Sequence, residues 1–124
     1  MTFERLQAEV YSILRRLRVM EYQKKNIVEL SNRDSPYTID ESTSTNVYLV
    51  DTTLGDVLII LPEASTVVGR EWTFKKLVAA NDVHLQPVES QLIDGQLTYT
   101  FSNQYESYTI ISDGSAYYIT SQVN

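Results

Sequence analysis

The chain has no cysteine, one histidine, three prolines and four glycines in 124 residues. Without cysteine there is no disulfide framework, no thiolate nucleophile and no cysteine-ligated metal. The lone histidine, His84, cannot complete a typical zinc site by itself, and no metal or cofactor is expected. Long hydrophobic runs are missing too. The longest, Val57-Leu58-Ile59-Ile60-Leu61, falls far short of the roughly 20 residues that span a bilayer. The first residues carry no apolar secretory stretch. These absences describe a soluble chain long enough to bury one modest core.

Charge is divided unevenly along that chain. Residues 1–33 carry seven basic side chains against four acidic ones, whereas residues 34–124 carry three basic against twelve acidic. A basic leading segment and an acidic remainder suit a molecule that docks one end on an anionic surface. The acidic part would repel phosphates and no nucleic-acid module is visible, so no nucleic-acid partner is expected. The leading segment also has no tryptophan, and Glu4, Glu9 and Glu21 dilute its basic face. Membrane-surface binding is therefore disfavoured as well.

Within residues 1–30 the apolar positions Phe3, Leu6, Val10, Ile13, Leu17 and Met20 alternate at spacings of three and four. This pattern predicts a short coiled-coil-like helix with Thr2 as its N-cap and those six residues as a subunit seam. Arg15, Arg16 and Arg18 are the candidates for docking on a larger shell. The competing reading is an ordinary amphipathic helix lying along its own β domain.

Residues 31–45 read as a polar linker, broken at Pro36, and 46–124 as a β domain whose first short strand starts as early as Tyr37. Val57–Leu61 is apolar on both faces and predicts a central, doubly covered strand ended by Pro62. Trp72 and Phe74 share one face of the next strand, while Leu97, Tyr99 and Phe101 alternate cleanly against Thr98, Thr100 and Ser102. Trp72, Phe74, Leu97, Tyr99 and Phe101 are assigned to the core or the subunit interface. Asp94-Gly95 and Asp113-Gly114 mark tight turns rather than calcium loops, since neither aspartate has carboxylates at alternating positions. About eight short strands at this spacing predict an antiparallel sandwich or barrel.

The ordered motifs V-L-I-I-L-P (Val57–Pro62), V-G-R-E-W-T-F-K-K (Val68–Lys76), I-D-G (Ile93–Gly95), Q-Y-E-S (Gln104–Ser107) and I-S-D-G (Ile111–Gly114) complete the pattern. Together they resemble a β module of tailed-bacteriophage virion proteins: head fibres, capsid decoration proteins and tail-fibre segments. The resemblance spans roughly residues 37–120, with Tyr117-Tyr118 standing where that pattern has Trp-Tyr. It implies a homotrimeric, externally displayed β domain that serves a structural or attachment role without catalysis. The expected function is capsid decoration or a head fibre on the virion surface, held to a major capsid protein. The alternative is a tail-fibre module recognising host carbohydrate.

Chemistry is thinly signalled. His84 has no serine elbow or carboxylate dyad tied to it by spacing, so no catalytic residue is assigned. Tyr105, Tyr117 and Tyr118 lie near turns and are the candidates for stacking on a sugar. Lys75-Lys76 reads as a solvated strand end.

Overall fold

In the computed structural model the described residues are Gln7 and 26–124. The apolar seam from Phe3 to Met20 and the arginines Arg15, Arg16 and Arg18 lie outside them. Nine strands follow: β1 (Ile27–Ser31), β2 (Tyr37–Thr38), β3 (Val47–Asp51), β4 (Val57–Leu61), β5 (Glu71–Lys76), β6 (Val83–Pro87), β7 (Tyr99–Phe101), β8 (Ser107–Ser112) and β9 (Tyr117–Val123). Residues 27–30, expected to finish the helix, instead form strand β1. Ile-Val-Glu-Leu holds two β-branched residues, and pairing along β3 gives its carbonyls partners that the last turn of a helix would lack.

The first six strands alternate between two sheets. One sheet has the order β1-β3-β5-β8-β9 and the other β2-β4-β6-β7. The pairs β1/β3, β3/β5, β2/β4 and β4/β6 are parallel, and only β5/β8, β8/β9 and β6/β7 are antiparallel. The expected antiparallel sandwich is therefore corrected to two mixed sheets. A parallel pair needs a crossover of a dozen or more residues, usually a helix. Here the crossover is a strand of the opposite sheet, so residues 27–87 wind as stacked coils and the last three strands close the body antiparallel.

Alternation along each strand sends one set of side chains between the sheets. Val50, Trp72, Phe74 and Ile110 from the first sheet meet Val57, Ile59, Leu61, Val83 and Leu85 from the second, all fully buried. Aromatic rings bridge the layers. Tyr99 meets Tyr108 edge-on at 4.9 Å, Phe101 meets Tyr108 at 5.1 Å, and Tyr37 meets Tyr48 at 5.9 Å. Offset and edge-to-face pairs of this kind add about 1 kcal/mol each beyond the area they bury. β4 does lie inside its sheet, but Leu58 and Ile60 are only half-buried. Its second face looks outward, with no layer over it among the described residues.

Turn chemistry sets the corners. Asp94 and Gly95 both have positive φ, 46° and 80°, and Ile93 N–H donates across them to the Gln96 carbonyl at 2.9 Å or less in the reciprocal pair. Asp113 Oδ1 accepts the amides of Ser115 and Ala116 at 2.8 and 2.9 Å, closing the β8–β9 hairpin. Hydrogen-bonded aspartates of this kind stabilise tight turns, as the dipeptides suggested.

Candidate functional site

Among the described residues, Asp56, Asp82 and His84 gather chemically active side chains on the outer face of the second sheet. The gathering arises from the winding. Val57 pairs with Val83 and Leu58 with His84, so the aspartates preceding β4 and β6, Asp56 and Asp82, occupy equivalent places in consecutive coils. Val57 N–H donates to the Asp82 carbonyl at 3.0 Å, and Asp82 N–H donates to Asp56 Oδ1 at 2.9 Å. His84 projects from β6 on this face. Its Nε2 lies 3.0 Å from Asp56 Oδ2, and its Nδ1 lies 2.8 Å from Thr100 Oγ1 on β7. Thr100, His84 and Asp56 thus form a continuous hydrogen-bonded row across the sheet. The ligand atoms of Asp56, Asp82 and His84 all fall within 4.8 Å of one another.

The electrostatics follow from these contacts. The hydrogen bond from His84, then the Asp82 amide, holds the Asp56 carboxyl below its ordinary value. Charge-assisted bonds favour the ionised form in this way. Lys76, expected at a solvated strand end, is instead fully buried. It ends β5 on the inward face, where its ammonium donates to the Val78 and Ala80 carbonyls. Burial pushes its pKa down, while Asp82, Glu106 and Asp56 pull it back up. Lysine rather than a shorter residue fits here because its four-carbon stem fills core space and its head satisfies loop carbonyls.

No protein-family model matches the chain, and no curated protein matches it.

Other expected site residues scatter. Trp72, Phe74 and Phe101 are buried in the intersheet core, and Tyr99 packs against it. Leu97 does not join them, being 59% exposed. The alternation expected from Leu97 begins only at Tyr99, after the Ile93–Gln96 turn has placed Leu97 outside the strand. Tyr117 is fully buried, with its ring tilted over Trp72 at 5.9 Å and its hydroxyl donating to the Pro62 carbonyl. It cannot stack on a ligand. Tyr105 and Tyr118 are 56% and 47% exposed, and Lys75 Nζ sits 5.7 Å from the Tyr105 ring centroid. Beside the histidine row, Ile60, Gln86, Pro87, Val88, Glu89 and Leu97 line a wide shallow groove of about 490 Å³.

Sequence reasoning isolated His84 and missed its partners. A signal was present: Asp56-Val57-Leu58-Ile59 and Asp82-Val83-His84-Leu85 repeat the pattern D-V-x-[IL] at a spacing of 26. Fixed-period similarity is the mark of stacked units.

Proposed function

We propose that this chain is a structural subunit of a symmetric assembly, a homotrimeric component of a phage virion surface that acts by adhesion as a capsid decoration or head-fibre protein. The observation that carries this reading is the point where the leading segment joins the β body. Asn26 passes straight into β1, an edge strand of the five-stranded sheet. Asn26 is already tied there, its side chain donating to the Ser44 carbonyl and its amide to Asn46 Oδ1. A seam of Phe3, Leu6, Val10, Ile13, Leu17 and Met20 packed against its copies would gather three β bodies by these edges, each exposing Ile27 and, at the far edge, Val123. Closed rotational symmetry limits such growth to a defined oligomer.

The basic leading segment would face an anionic shell, with Arg15, Arg16 and Arg18 as its contacts. Light scattering of the full chain tests the oligomer, and a trimer is expected at micromolar concentration. Replacing Ile13 and Leu17 by glutamate places charges in the seam and should return monomers. A monomeric parent chain would overturn the reading. Electron microscopy of particles labelled against this chain tests the location, with labelling of heads expected.

The exposed Tyr105 and Tyr118 favour a second reading, a tail-fibre module that binds surface carbohydrate. Flat exposed rings are the usual platform for sugars. Saturable glycan-array binding lost on Tyr105→Ala or Tyr118→Ala, together with tail-only labelling, would select it.

A further inference from the structure

We infer that Asp56, Asp82 and His84 form a binding site for one divalent transition-series cation, with zinc as the best match. The inference stands independently of the proposed assembly. An imidazole with two carboxylates is a nitrogen-and-oxygen donor set suited to zinc and, less well, manganese, whereas calcium prefers oxygen alone. Metal–ligand distances near 2.0–2.2 Å put the donors of one zinc ion about 3–4 Å from each other. His84 Nε2 and Asp56 Oδ2 are already 3.0 Å apart, and the three donors fall within 4.8 Å. A small side-chain rotation gathers them.

Two further observations separate this cluster from ordinary surface carboxylates. First, the imidazole is oriented from outside the donor set. Thr100, on a different strand, engages Nδ1 at 2.8 Å and leaves Nε2 toward the carboxylates. Metal-binding histidines commonly have the second ring nitrogen fixed in this way, which sets the tautomer. Second, the half-buried Asp82 carboxylate accepts no hydrogen bond from any described residue. It lies close to the Asp56 carboxylate and the His84 ring, so its free oxygens are placed to complete a shared donor set. Lys76 does not take that role. Its ammonium is committed to the Val78 and Ala80 carbonyls and makes no ion pair within 4.0 Å among the described residues. Its charge nevertheless weakens the local field, so affinity should be lower than that of closed structural zinc sites. Three protein donors would leave the remaining positions to water.

A bound ion would connect the two turns that precede β4 and β6 with the imidazole of β6, locking the register of consecutive coils. The test uses the full chain after chelation. Titration with zinc chloride, followed by calorimetry, should give one saturable site per chain and a higher melting temperature, with manganese weaker and calcium without effect. Because His84 is the only histidine, its ring proton resonances are unambiguous and should shift with zinc in the unmodified protein. Asp82→Asn and His84→Gln should each weaken zinc binding at least tenfold. Asp113→Asn, in a turn remote from the cluster in the pairing scheme, should leave it unchanged. Unshifted His84 resonances at saturating zinc, or affinity unaltered in both site variants, would overturn the inference.

Discussion

Residues 27–87 and residues 99–123 use the same kinds of strand yet pair them by opposite rules. In the first region neighbours in a sheet are parallel and separated in sequence by a strand of the other sheet. In the second, β8 and β9 are adjacent in both sequence and space, joined by the Asp113-Gly114 turn. The difference teaches what holds each pairing in place. A hairpin is specified by its own turn, while a coil is specified by the core it surrounds, since no local connection forces β3 beside β5.

The largest test of that contrast is Trp72→Ala. Trp72 is fully buried between the sheets and touches both regions through its packing on Tyr117. Its loss should cost about 3–5 kcal/mol, read as a large fall in the denaturation midpoint. Hydrogen exchange should show protection lost in β3 and β5 before it is lost in β8 and β9. The reverse order would break the comparison.

Tyr108→Phe should have the next largest effect. The Tyr108 hydroxyl donates to Glu106 Oε2, while Glu106 Oε1 accepts the amides of Ser102 and Asn103. Burial, then the hydrogen bond to Glu106, pushes the Tyr108 phenol well above its ordinary value. Removing the hydroxyl leaves a buried carboxylate oxygen short of a donor, at a cost of about 1–3 kcal/mol. Chemical denaturation should detect it, and an unchanged midpoint would mean that water replaces the phenol.

Gly114→Ala probes the hairpin turn and its contact with Val68 of the coil region. Gly114 has φ near +98° and a methyl group there would meet Val68 Cγ2 at 3.2 Å. The expected penalty is about 1 kcal/mol or somewhat more, largest in β8 and β9 in hydrogen exchange. A penalty spread through the coils would mean that the two regions unfold together.

The smallest effect is a pH dependence. Asp56 is ionised more easily in the folded chain than its ordinary value of 3.8 allows. Its stabilising contribution is therefore present above that value and is lost as pH falls through the lowered folded value. Asp56→Asn should flatten the stability profile in that acid range while changing little of its slope near neutrality. An identical acid limb in both proteins would show that other carboxylates govern it.

The antiparallel end was the legible part of the fold. The turns at Asp94-Gly95 and Asp113-Gly114 could be read because their signals lie within a few residues. The strands β3 to β6 were also visible, since strand alternation is local. What alternation cannot encode is a partner. Ile59 could pair with Tyr37 or Leu85 in either direction without changing which face it buries, and it in fact lies beside both in parallel. β1 was hidden for a different reason: Ile27, Val28 and Leu30 continue a helical apolar spacing, and only pairing with β3 decides against it. The cluster at His84 depended on the same unseen register. His84 was set aside for want of partners, because Asp56 and Thr100 stand 28 and 16 positions away and are brought to it only by the parallel β4/β6 and antiparallel β6/β7 registers.

The matching aspartates before β4 and β6 carry a further implication. One circuit of the backbone returns to an equivalent place a single strand spacing higher, so the body has an internal unit that can be copied. Inserting a second copy of residues 57–82 would add one rung, about 4.8 Å of height, and present a third aspartate above the existing pair. Length, in such a design, becomes an inheritable dial that turns by duplication rather than by invention.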